Sequence, residues 1–193
     1  TPDAYLIETN TITCRVSKAD FLISFIDNIT GIVTSSDASP MHWEENVEFG
    51  GYYVFATKQC HPEENFFGLG DKSGNLNLRG RKFTNWNTDA YSYGWDQDPL
   101  YRTIPFYMGI NQGETYGIFF DNTFRTFFDF CHERRNVTSF WAEGGEMNYY
   151  FIYGPKMKDV VTAYTHLTGK PELPPMWTLG YHQCKWSYYP ESK

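Results

Sequence analysis

Met147-Asn148-Tyr149-Tyr150-Phe151-Ile152-Tyr153-Gly154-Pro155 is the stretch that decides the fold class. Side chains alternate between the faces of a β-strand. Met147, Tyr149, Phe151 and Tyr153 therefore share one face, and Asn148, Tyr150 and Ile152 share the other. Gly154-Pro155 breaks the strand, and the period then changes. Pro155 suits the first turn of a helix, and Val160, Val161, Tyr164 and Leu167 recur at helical spacing between Lys156 and Thr168. Gly169 suits the helix C-terminus. The stiff run Lys170-Pro171-Glu172-Leu173-Pro174-Pro175 can form neither a helix nor a central strand and reads as an inter-domain linker.

Upstream, short alternating runs bounded by Gly, Asn, Asp or Pro predict strands at Ala4–Thr9, Ile12–Val16, Phe21–Ile26, Gly31–Ser35 and Tyr52–Thr57. Further strands are expected at Phe66–Leu69, Ile104–Ile110, Tyr116–Asp121, Arg125–Phe130 and Thr138–Ala142. Many short strands at intervals of about ten residues point to a mainly β protein built as a β-sandwich. Downstream, Met176–Trp186 is strand-like. A lone strand exposes its backbone edge, so it reads as the start of a second domain. The expected division is a sandwich over 1–169 and a linker with the beginning of a further domain over 170–193.

With 16 basic and 23 acidic residues the chain carries a net charge of −7 and no basic tail. That argues against nucleic acid, whose affinity comes mainly from phosphate neutralisation, and against an anionic membrane surface. No run of 18 apolar residues is present, so no membrane-spanning helix is expected. Aromatic residues make up 19% of the chain, which fits an aromatic strand core and also supplies flat apolar faces on which sugar rings stack. Cys14, Cys60, Cys131 and Cys184 follow no metal or redox spacing. Neighbours in a strand point to opposite faces, so neither Cys60-His61 nor Cys131-His132 can chelate well alone. Buried free thiols are the expectation, with a disulfide left open and neither metal nor cofactor expected. The triplets Asn28-Ile29-Thr30 and Asn136-Val137-Thr138 are glycosylation acceptors only in a secretory cell, so the compartment stays open.

The informative window is residues 66–110. Phe67-Gly68-Leu69-Gly70 lacks the Lys-Ser/Thr and the following helix that a phosphate-binding loop needs. Arg79, Arg81 and Lys82 fit a solvated strand face or local ion pairs. A long polar and aromatic loop follows over 84–101, rich in Asn, Asp, Trp and Tyr. Loops of this length tend to bind ligands or to be disordered, and the aromatics of 91–101 argue against disorder. Its amides and carboxylates can fork onto sugar hydroxyls; packing as a structural loop is the other reading of the same residues.

Several blocks in this window resemble the N-terminal domain of family-31 glycoside hydrolases. They are Phe67-Gly68-Leu69-Gly70, Leu76-Asn77-Leu78-Arg79-Gly80, Trp86-Asn87-Thr88-Asp89-Ala90-Tyr91 and Asp98-Pro99-Leu100-Tyr101-Arg102-Thr103-Ile104-Pro105-Phe106-Tyr107. Tyr153-Gly154-Pro155, Thr168-Gly169-Lys170-Pro171, Pro174-Pro175-Met176-Trp177 and Leu179-Gly180-Tyr181 resemble that family's passage from sandwich to barrel. Residues 66–193 carry the resemblance, whereas 1–65 match in general character. Asp71 departs from it, since many members carry Glu there.

The resemblance implies a galactose-mutarotase-like sandwich leading into a catalytic (β/α)8 barrel, in a retaining α-glycosidase that hydrolyses terminal α-glucosidic bonds. α-Xylosidases share the family, and a stand-alone carbohydrate-binding module is the rival reading. Retaining enzymes hold two carboxylates roughly 5–5.5 Å apart. In this family both come from later barrel strands, so this chain is expected to hold no catalytic residue and to be inactive alone. Its partners would be an α-linked oligosaccharide and the barrel region. Its own contribution would be the rim of the active site, with Asp89 hydrogen-bonding the sugar and Asn87 and Tyr91 as further candidates. Trp186, at the C-terminal end of the first barrel strand, is the remaining substrate-binding candidate.

Overall fold

A computed structural model of the chain describes residues 1–183. Twelve strands carry the fold, β1 (Ala4–Glu8), β2 (Ile12–Ser17), β3 (Ile23–Asp27), β4 (Val33–Glu45), β5 (Tyr52–Gln59), β6 (Asn65–Gly70), β7 (Lys82–Asn85), β8 (Thr103–Asn111), β9 (Glu114–Phe120), β10 (Thr126–Phe130), β11 (Val137–Ala142) and β12 (Tyr149–Gly154), followed by the helix α1 (Met157–Thr168). They form an eight-stranded sheet in the order β1-β2-β3-β4-β5-β11-β10-β7 and a four-stranded sheet in the order β12-β9-β8-β6. The expected β-sandwich is present, with β7 and β6 at the sheet edges that flank the 84–101 loop.

The two sheets meet over an aromatic core. Phe66 from β6, Tyr107 from β8, Phe128 and Phe130 from β10 and Phe140 from β11 are fully buried. Phe66 stacks on Phe130 at 4.8 Å, and Tyr107 meets Phe130 edge-on at 5.0 Å. Such ring pairs contribute about 0.5–1.5 kcal/mol beyond their buried area. β12 behaves as its alternation requires. Tyr149 and Phe151 pack on the inter-sheet core, while Ile152, on the opposite face, is buried with Phe106 and Val160 beneath α1. Of the apolar residues read along the helix, Val160 is buried and Tyr164 stacks on Phe106 at 4.0 Å, whereas Val161 and Leu167 are exposed. Gly169 closes the helix with its N–H on the Thr165 carbonyl at 3.0 Å and φ 94°.

Four features depart from the sequence reading. β4 continues ten residues beyond Ser35, to Glu45, and passes Pro40. Proline has no N–H for a ladder, and register shifts between Asp37 and Ser39 and between Ser39 and His42 absorb it. β7 was not among the expected strands, although Arg79, Arg81 and Lys82 were read as a solvated strand face or local ion pairs, and Lys82 opens it. Cys60 and Cys131 are joined in a disulfide rather than free, while Cys14 is free. β5 and β10 flank β11 and are both antiparallel to it, so they run parallel and deliver these two cysteines to the same end of the sheet. Finally, the start of the expected barrel strand is not extended. Met176–Leu179 form a 3-10 turn, with Thr178 N–H on the Pro175 carbonyl and Gly180 N–H on the Trp177 carbonyl. Among the described residues this segment has no strand to pair with, so its backbone bonds close locally. The rest of that expected strand, from Cys184 onward, lies outside the described residues, and so does Trp186.

Two buried charged side chains, Lys58 and Glu64, are paired within the sandwich. The Lys58 ammonium donates to the Asp37 carboxylate at 2.5 Å and to the Tyr149 hydroxyl at 2.8 Å. Glu64, also buried, accepts from the Tyr116 hydroxyl at 2.6 Å and the His61 N–H at 3.0 Å. Burial pushes the Glu64 carboxyl above its usual range, against the pull of those two donors and of Arg79. Among the described residues no helix is long and apolar enough to cross a membrane, and no cluster of three or more His, Cys, Asp or Glu is placed to hold a metal.

Candidate functional site

The loop between β7 and β8 is tied down at its base by groups from three directions. Asn87 accepts from both the N–H and the hydroxyl of Thr103, each at 2.9 Å. Thr88 N–H donates to the Leu100 carbonyl at 2.9 Å, and Leu100 itself is buried. The Tyr101 hydroxyl donates to the Ala90 carbonyl at 2.6 Å. Lys72, from the turn after β6, donates to the Asp98 carboxylate and to the Thr84 carbonyl, both at 2.7 Å. The second oxygen of Asp98 accepts the Thr84 N–H. Burial lowers the Lys72 ammonium below its usual range, and the neighbouring Asp98 carboxylate works against that shift.

Above this base the loop turns outward. Tyr91 is 83% exposed and Trp95 72%, so these rings contribute little to the core. Asp89 is exposed, and no protein donor among the described residues bonds its carboxylate. The alternative role of a turn aspartate satisfying local backbone therefore has no hydrogen bond behind it. Tyr93 packs edge-on against Tyr101, which props the tip.

Beside the loop base lies an open cleft of about 520 Å³, lined among others by Asn85, Trp86, Asn87, Pro105, Phe119 and Phe124. Arg125 sits 4.9 Å over the Trp86 ring and fixes one wall. Asn85 is 4% exposed, and among the described residues neither its amide oxygen nor its amide nitrogen has a protein partner. Of the residues expected from sequence, Asn87 reaches this cleft, while Asp89 and Tyr91 stand on the loop beyond it. Asn85, Lys72 and Asp98 were not anticipated. The sequence signal for Asn85 is its place two residues after Phe83 in β7, on the inward face, which is legible only once β7 is recognised. Exposed carboxylate, amides and aromatic rings on one rigid loop can bond hydroxyls and cover the apolar face of a sugar ring.

Comparison with known proteins identifies the family. Residues 1–129 match the family model for the glycosyl hydrolase 31 N-terminal galactose mutarotase-like domain. The match includes residues 1–65, so the likeness there is specific rather than general. "Alpha-glucosidase 2" of Bacillus thermoamyloliquefaciens is 38% identical over 182 residues, covering 94% of this chain and 22% of that protein. "Alpha-xylosidase XylQ" of Lactiplantibacillus pentosus is 33% identical over 163 residues, covering 84% of this chain and 20% of that protein. Among solved structures, the Flavobacterium johnsoniae GH31 dextranase FjDex31A in complex with isomaltotriose aligns with a TM-score of 0.84 at 40% identity, over 94% of this chain and 21% of that one. The chain thus spans about a fifth of the length of the relatives it matches. Sandwich topology, loop and sequence together place the chain in glycoside hydrolase family 31, as a galactose-mutarotase-like N-terminal domain of that family.

Proposed function

We propose that this chain is the N-terminal part of a retaining α-glycosidase that hydrolyses terminal α-glucosidic bonds of oligosaccharides. In this reading residues 1–169 form the sandwich and 170–193 lead into the catalytic (β/α)8 barrel, which supplies both catalytic carboxylates. The 84–101 loop forms part of the rim, where Asp89 bonds a sugar hydroxyl and Asn87 and Tyr91 lie within reach of the substrate. Trp186 would contribute from the barrel mouth. The observation that carries this reading is the Asp89 carboxylate, held on an anchored loop, exposed and without a protein donor among the described residues. The isomaltotriose complex of the similar dextranase supports an α-linked oligosaccharide as the ligand class. The α-xylosidase relative supports a second reading in which the same scaffold serves α-xylosides.

A charge-assisted bond to a hydroxyl contributes about 1.5–3 kcal/mol. In the full-length protein Asp89→Ala should therefore lower kcat/KM for maltose- or isomaltose-type substrates by about 10- to 150-fold. An unchanged kcat/KM would leave the loop a structural role only. Cleavage of α-xylosides in preference to α-glucosides would select the second reading.

A further inference from the structure

The strand β7 ends the eight-stranded sheet, and β6 ends the four-stranded one. An edge strand presents unpaired N–H and C=O groups. Thr84 is such an edge residue. Its in-sheet neighbour is Phe127 on β10, yet its N–H goes to Asp98 and its C=O receives Lys72. The Lys72–Asp98 pair thus occupies the place of a ninth strand. It also joins three parts of the chain, namely the turn after β6, the first residue of the loop and its far end. Both side chains are sheltered, Lys72 at 3% and Asp98 at 14% exposure. Water competes little for a pair so covered, and each partner would be left an uncompensated buried charge without the other.

We propose that Lys72 and Asp98 form a buried clamp that sets the position of Asp89 and the loop tip toward the sugar, and so act as positioning residues. The inference rests on the reading of Asp89 as a sugar contact. The clamp ties Thr84, at the start of the loop, to Asp98, three residues before its end. The Asn87–Thr103, Thr88–Leu100 and Ala90–Tyr101 bonds tie the stretch around Asp89 to residues just beyond Asp98. With these points fixed, Asp89 has a short, braced path to the platform. With the clamp open, the loop keeps those bonds but can pivot on them, so binding weakens while the barrel's chemistry is untouched. A merely structural pair would instead lower global stability and leave loop motion and substrate affinity alone.

Lys72→Met and Asp98→Asn in the full-length protein separate these cases. The second variant keeps an acceptor for the Thr84 N–H and guards against misfolding of the first. Hydrogen exchange of residues 86–97 should accelerate about tenfold in each variant, with the sandwich strands other than β7 unaffected. KM for isomaltotriose should rise about fivefold or more, with kcat held within about twofold, the pattern of lost uniform binding. Unchanged exchange over 86–97 in both folded variants would overturn the clamp. An unchanged KM in both, while Asp89→Ala raises it, would overturn the positioning role. If Asp89→Ala also leaves KM unchanged, the sugar contact itself fails, and the role assigned to the clamp in binding fails with it.

Discussion

Gly70 and Gly80 provide a matched pair for testing how the loop platform is built. Both hold positive φ, +83° and +78°, so each pays the same backbone cost on substitution by alanine, about 1–2 kcal/mol. Their surroundings differ. A Cβ on Gly80 would meet nothing within 4 Å, whereas one on Gly70 would lie 2.6 Å from the Arg102 carbonyl oxygen and 3.0 Å from the Ile104 nitrogen. Those atoms are backbone of the segment entering β8, so relief requires β6 and β8 to separate. Separation lengthens the Asp71 N–H bond to the Arg102 carbonyl, now 2.8 Å, and disturbs the pairing of Gly70 with Thr103. Two weakened backbone bonds at about 1 kcal/mol each bring the expected loss for Gly70→Ala to about 3–4 kcal/mol, against about 1–2 for Gly80→Ala. Urea unfolding followed by tryptophan fluorescence reads the difference. With a slope of about 2–3 kcal/mol/M, Gly70→Ala should unfold at roughly 1 M less urea than Gly80→Ala. Equal midpoints would refute the view that close approach of β8, rather than the left-handed backbone alone, demands glycine at position 70.

Other substitutions test the interior and the helix. Lys58→Met strands Asp37 as a buried charge and should cost about 3–5 kcal/mol in urea unfolding. Lys58→Met combined with Asp37→Asn, which keeps an acceptor for the Ile23 N–H at 2.9 Å, should lose markedly less. Val160→Ala opens the contact with Phe106 and Ile152 under α1. A loss of about 1–2 kcal/mol and faster exchange of the 157–168 amides are expected, and unchanged exchange would mean that Val160 does not seat the helix. The Asp27 carboxyl is held down to about 2, first by the Tyr153 hydroxyl and then by the Thr30 and Ile29 N–H groups. Its folded value lies below the unfolded value of about 3.9. Its stabilisation is therefore present above about pH 4 and is lost as pH falls toward 2. Asp27→Asn should flatten the fall of the urea midpoint across that window, and an unaltered slope would contradict the assignment.

Much of the sandwich was legible because strand alternation is a local signal. Met147 to Tyr153 announces its two faces, and Phe151 and Ile152 bury on opposite sides as read. β7 was not legible. It has four residues, begins at Lys82 beside Arg81, and buries Phe83 and Asn85 only because β10 lies alongside. Pro40 hid the length of β4, since the bulges that accommodate it depend on the partner strand. The Cys60–Cys131 link spans 71 residues and follows from sheet order, which no local pattern encodes. At the site, the motif around Trp86-Asn87-Thr88-Asp89 pointed to a sugar-facing loop through family resemblance, whereas its chemistry alone favoured a packed loop. The Lys72–Asp98 clamp joins residues 26 apart through a buried contact, and such pairing appears only when the edges of both sheets are brought together.

In the proposed function, an anchored loop of the sandwich presents the Asp89 carboxylate to an α-linked sugar. The most direct measurement is a crystal structure of the full-length protein with isomaltotriose bound. An Asp89 carboxylate oxygen is expected within about 3.2 Å of a sugar hydroxyl. A carboxylate more than about 5 Å from every sugar oxygen, beyond the reach of one bridging water, would contradict the account.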